Sequence, residues 1–93
     1  ADGIACRSPN PEALDVIWQG VDRVVEVTDL EVAEAIRTIF ECTHNVSEGA
    51  GAAGTAAAMQ EKSRNAGRKI AVVITGGNID RELFAGVLNM SFT

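Results

Sequence analysis

The chain has 93 residues, 46% of them hydrophobic and 23% charged, and a net charge of -5. That is one domain or part of one, with room for a single modest core. The acidic balance leaves no basic stripe to neutralise phosphates, which argues against nucleic acid, and it disfavours an anionic membrane surface. The longest apolar run, Ile70 to Ile74, is far short of the ~20 residues a spanning helix needs. The opening Ala1-Asp2-Gly3 carries no basic or apolar leader pattern. Without a methionine, it is expected to follow an upstream segment.

In chain order, Asn10-Pro11-Glu12 predicts a helix start: a side-chain cap, a proline in the first turn, then an acid facing the dipole. Leu14, Ile17 and Trp18 give that helix an apolar face, and Gly20 is its expected C-cap. Arg23 to Val27 (RVVEV) is short and β-branched, which predicts a strand. Thr28-Asp29-Leu30-Glu31 has the form of a capping box. Behind it Val32, Ile36, Ile39 and Phe40 recur at helical spacing, opposite Glu34, Arg37 and Glu41, with an end near His44-Asn45. His44 reads as a helix C-terminal cap, and the acids of this helix as a solvated face.

A third helix begins at Ser47-Glu48 and runs to Asn65-Ala66-Gly67. Its first half is almost all glycine and alanine. Glycines there cost about 1 kcal/mol each relative to alanine, so they imply close approach of the helix to a sheet or a ligand. Ile70-Ala71-Val72-Val73-Ile74 is apolar at every position, the pattern of a parallel strand covered on both faces. Thr75-Gly76-Gly77-Asn78 follows, then a short helix from Asp80 to Asn89 with Leu83, Phe84, Val87 and Leu88 inward. The order helix, strand, helix, helix, strand, helix predicts a layered α/β arrangement. Two strands make a poor sheet alone, so partner strands are expected outside this chain. Cys6 and Cys42 have no ligand-like neighbours, which leaves no zinc pattern and predicts buried free thiols in a reducing cytoplasm.

Ligands of open parallel sheets bind beyond the carboxyl ends of the strands, where Thr75-Gly76-Gly77-Asn78 would lie. The glycines let backbone approach a flat or anionic ligand and Thr75 offers a hydroxyl, although a plain strand-to-helix turn has the same composition. Glu48 stands at the positive pole of the small-residue helix, a placement that dipole stabilisation alone also accounts for. A dinucleotide fingerprint is a poor match, because Ile79-Asp80-Arg81-Glu82 stands where the third glycine should open the helix.

Three stretches, Ala1-Asp2-Gly3-Ile4-Ala5, Thr43 to Ala52 (THNVSEGAGA) and Ile74 to Asp80 (ITGGNID), resemble in order and spacing the carboxyl-terminal part of serine/threonine dehydratases. These are fold-type II pyridoxal-phosphate enzymes, related to serine racemase and the tryptophan synthase β chain. The resemblance runs from Ala1 to about Leu88. It implies that residues 1–93 are the C-terminal part of a pyridoxal 5'-phosphate-binding catalytic domain, within a layered parallel-sheet fold incomplete in this chain. It also implies that the Thr75 hydroxyl, usually serine in the family, hydrogen-bonds the cofactor's pyridine nitrogen. Gly76 and Gly77 would admit the ring edge, Glu48 matches a glutamate near the ring, and Gly3 a backbone position beside cofactor and substrate. Gly49 stands where many members have proline.

The family's Schiff-base lysine and glycine-rich phosphate loop have no counterpart here. The only lysines are Lys62 and Lys69, in polar surroundings. No catalytic residue is therefore assigned, and the chain alone is expected to be inactive. The implied intact enzyme converts L-threonine or L-serine to a 2-oxo acid and ammonia. Its expected partners are the amino-acid substrate, the missing N-terminal portion and further copies in a homo-oligomer. A racemase or synthase of the same superfamily, and a noncatalytic α/β ligand-binding domain, are the alternatives.

Overall fold

The computed structural model describes residues 1–90. A single 3-10 turn at Asp2–Ile4 precedes five helices: α1 (Pro11–Gly20), α2 (Asp29–Thr43), α3 (Gly49–Gln60), α4 (Lys62–Asn65) and α5 (Arg81–Asn89). The local start signals act as their chemistry dictates. Asn10 accepts hydrogen bonds from the amides of Glu12 and Ala13, at 2.9 and 3.3 Å. Thr28 and Glu31 close a reciprocal box, with Thr28 N–H donating to Glu31 Oε1 at 2.8 Å and Glu31 N–H to Thr28 Oγ1 at 3.1 Å. His44 caps α2 in the left-handed region, at φ 58.

The core is small and belongs to three helices. Val32, Ala35, Ile36 and Ile39 of α2 meet Ala52 and Ala56 of α3 and Val87 of α5. Phe84 stands edge-on to Phe40, with ring centroids 5.5 Å apart, which joins α5 to α2. Arg37 donates from Nη1 to the Met90 carbonyl at 2.6 Å and from Nε to Glu41 at 2.8 Å, tying the end of α5 to α2. Helix α1 packs against no other helix, and its Val16 and Trp18 are 70% and 74% exposed.

Several expectations are corrected. No strand forms among the described residues. The segments 23–27 and 70–74 have no ladder to join, and a strand exists only through a neighbour's hydrogen bonds. Most of their side chains accordingly stay in solvent, Val24 and Val73 both 76% exposed, while Val25 and Val27 are half-buried and Val27 packs on the helical core. No layered sheet forms among the described residues. Helix α1 ends at Gly20 and is capped by Val21. The expected single third helix breaks at Glu61 (φ -102, ψ 26) into α3 and α4. Leu83 faces outward at 60% exposure, and both cysteines are exposed, not buried. No described helix is long and apolar enough to cross a membrane.

Candidate functional site

The small residues of α3 bring its first turns against the chain that leaves the 70–74 segment. A methyl group on Gly54 would touch Val72 at an ordinary 3.7 Å, whereas one on buried Gly51 would lie 2.5 Å from the Gly76 carbonyl oxygen and 3.0 Å from its nitrogen. Only glycine allows that approach, which is the packing reason for a residue otherwise unfavourable in a helix. The same contact is closed by a hydrogen bond from Glu48 N–H to the Gly76 carbonyl at 3.0 Å. One residue on, a methyl at Gly77 would lie 2.6 Å from the Val46 carbonyl oxygen. The turns 46–51 and 76–77 thus form one backbone clasp. Ser47, fully buried at its centre, donates from Oγ to the Glu48 carbonyl at 2.9 Å.

Beside the clasp opens a cleft of about 350 Å³, lined by Ala1, Asp2, Gly3, Glu48, Gly49, Ala50, Asn78, Ile79, Asp80 and Leu83. Its floor is the first turn of α3, and its rim is the backbone of the 3-10 turn, pressed so close that a methyl on Gly3 would lie 2.7 Å from Ala50 Cβ. Glu48 is the N-cap residue of α3, and its side chain makes no capping bond. Of the sequence-derived site residues, Gly3 and Glu48 share this cleft, and Gly76 packs directly on the Glu48 carboxylate. Thr75 is exposed, one residue before Gly76, and does not line the cleft itself. Its hydroxyl makes no hydrogen bond among the described residues and is free to serve a ligand. No described cluster of histidine, cysteine and acidic residues could hold a metal ion.

The cleft is open and polar-edged, with backbone left bare by glycines at its rim and floor. It offers glycine and alanine walls, the apolar Ile79 and Leu83, three acidic residues (Asp2, Glu48 and Asp80) and the first turn of α3, with the Thr75 hydroxyl outside it.

Sequence reasoning missed a second polar cluster, at the far end of α3. Arg23 makes a two-pronged ion pair with Glu61, at 2.5 and 2.6 Å. This bond holds the Glu61 carboxyl below the usual range and raises the guanidinium. Gln60 donates to the Glu26 carbonyl at 2.9 Å and to Glu31 at 3.0 Å. Glu31 is held low first by the Thr28 amide and next by Gln60, so this acid belongs to a cap and a network and not to a solvated face. Partners 29 to 38 positions apart leave no local pattern to read. The cluster ties residues 23–31 to α3 and has no part in the cleft.

Known proteins supply the family. The pyridoxal-phosphate dependent enzyme family matches residues 1–76. An L-threonine ammonia-lyase of Thermotoga maritima is 40% identical over 89 residues, covering 96% of this chain and 22% of that protein. One from Geobacter sulfurreducens is 40% identical over 80 residues, 86% of this chain and 20% of that protein. An L-threo-3-hydroxyaspartate ammonia-lyase of a Pseudomonas species is 30% identical over 88 residues, 95% and 28% respectively. The chain thus spans between a fifth and just over a quarter of these relatives' length. No solved structure gives a significant match. With most of its length covered, and with glycines and a carboxylate grouped around one cleft, the chain belongs to the pyridoxal-phosphate dependent enzymes.

Proposed function

We propose that this chain is the C-terminal part of the catalytic domain of an L-threonine/L-serine ammonia-lyase and forms the pyridine-side wall of its cofactor site. The observation that carries the reading is 40% identity to an L-threonine ammonia-lyase across 96% of the chain. Residues 1–93 then belong to a layered parallel-sheet domain in which segments 23–27 and 70–74 become strands once neighbouring strands are supplied. The exposed surface supports this: 7172 Å², against about 5200 Å² for a compact monomer of this mass.

When bound, pyridoxal 5'-phosphate supplies an electron sink for charge developing at the substrate's α-carbon. Thr75 would hold the cofactor by its ring nitrogen, donating its hydroxyl hydrogen bond without giving up the proton, since a neutral hydroxyl is far too weak an acid to protonate it. That keeps the ring a weaker sink than an acid partner would, which suits loss of the β-hydroxyl over transamination. Glu48 would present its carboxylate toward the ring, Gly76 would keep the wall beside that carboxylate bare, and Gly3 would offer backbone to cofactor and substrate. The lysine that attaches the cofactor and the phosphate-binding loop come from the N-terminal portion of the same enzyme. We place that enzyme in the cytoplasm, as a homo-oligomer.

A second substrate has a specific basis, because one relative is named for L-threo-3-hydroxyaspartate. The test is a 2-oxo acid assay on the full-length protein with L-threonine, L-serine and L-threo-3-hydroxyaspartate in parallel. Ammonia and 2-oxo acid from threonine or serine support the main reading, and release from hydroxyaspartate alone moves the substrate to the second. No product from any of them contradicts both. Racemisation or synthase activity would instead assign another reaction to the same wall.

A further inference from the structure

We propose that Gly76 is a positioning residue for the Glu48 carboxylate, serving the cofactor through Glu48 and not by touching the ring. The inference rests on the cofactor-wall reading above and adds a division of labour within it. If a methyl group replaced the hydrogen on Gly76, its three nearest neighbours would all be Glu48 side-chain atoms. It would collide with Oε1, and Cδ and Cγ would lie 3.1 and 3.7 Å away. The Glu48 carboxylate is therefore folded back across the bare α-carbon of Gly76. At the same time the Glu48 amide donates to the Gly76 carbonyl at 3.0 Å, so the glutamate grips this residue at both its backbone and its side chain.

Nothing else fixes that carboxylate. Among the described residues it has no hydrogen-bonding or ionic partner, and it makes no capping bond to its own helix. Its place in the cleft is set by the van der Waals surface it lies on, and that surface is Gly76. Backbone conformation is not the reason for the glycine. Among the described residues Gly67 is the only glycine with a positive φ, at +76, so alanine can adopt the backbone at position 76. What alanine cannot do is leave room for the carboxylate. The colliding atoms are the far end of a flexible side chain, so the chain folds and Glu48 swings off the cleft wall.

The test is a double-mutant cycle in the full-length protein, with Gly76→Ala, Glu48→Ala and the pair. The readouts are the dissociation constant for pyridoxal phosphate and the absorption maximum of the bound cofactor. Gly76→Ala alone is expected to weaken binding about tenfold and shift the maximum, and to change binding by less than about twofold once Glu48 is truncated. Additive losses would overturn the proposal, because the glycine would then face the cofactor itself. So would unchanged binding in Gly76→Ala. Melting far below wild type in the double variant counts against it too, since the methyl would then be meeting something other than the carboxylate. A wild-type protein that takes up no pyridoxal phosphate is a different failure, one that sinks the underlying functional reading.

Discussion

The α2–α3–α5 unit and the outer parts of the chain, α1 with segments 21–27 and 70–74, are both rich in apolar residues, yet most of those residues end in opposite environments. In the first, Ala35 and Ala52 are 0% exposed and Ile36 4%. In the second, Val16, Trp18, Val24 and Val73 are all at least 70% exposed. The first owns both sides of its interface, and the second only one. The Cα radius of gyration of 14.3 Å, against about 12 Å for a compact chain of this length, records the same imbalance. The cleft lies on the boundary: α3 supplies its floor, and the stretch after 70–74 supplies a wall.

The sharpest way to break this contrast is truncation on each side of it. Ile36→Ala should destabilise the helical unit by about 2–5 kcal/mol, read as a lowered urea midpoint of the full-length protein. In the isolated chain Trp18→Ala should move the midpoint by no more than about 0.5 kcal/mol. In the full-length protein it should cost several times that, if the rest of the domain covers α1. Equal effects in both settings would mean that α1 stays bare in the enzyme too. Next in size is Gly51→Ala, expected to cost about 1–3 kcal/mol because the methyl meets backbone that cannot yield. Gly54→Ala, with its ordinary contact at 3.7 Å, should be neutral or mildly stabilising.

Smaller effects test how α2 is held. Thr28→Ala should cost about 1 kcal/mol through the lost cap. The Glu31 carboxyl is depressed when folded, so its contribution is complete above its unfolded pKa and disappears as pH falls through the lower folded value. An acid titration of stability should therefore flatten in Glu31→Gln relative to wild type over that interval. The smallest effect expected is at Arg23–Glu61. Arg23→Gln should loosen the 23–27 segment, as faster amide exchange there, with little change in the unfolding midpoint.

What could be read from the sequence was what a few neighbouring residues decide. Asn10, the Thr28–Glu31 box and the His44 cap emerge as expected because each is settled within a turn of helix. The core face of α2 was legible from periodicity, and the small residues of α3 did signal a close approach. The strands were not realised, because RVVEV and IAVVI encode a preference whose fulfilment requires another chain segment. Spacing alone places Leu83 inward, but α5 buries only its Val87 side against α2. The Arg23–Glu61 and Gln60–Glu31 bonds depend on tertiary approach and leave no mark in local pattern. Of the residues the motifs single out, Gly3 and Glu48 come together at one cleft, while the contact between Glu48 and Gly76 needed coordinates.

One titration bears on the whole account most directly: pyridoxal phosphate added to the full-length protein, followed by visible absorption, for wild type, Thr75→Ser and Thr75→Ala. A hydroxyl at 75 that meets the ring nitrogen predicts near-identical spectra for threonine and serine, and a displaced maximum with weaker uptake for alanine. Three superimposable titrations would show that residue 75 does not touch the cofactor and would contradict the wall assigned to this chain.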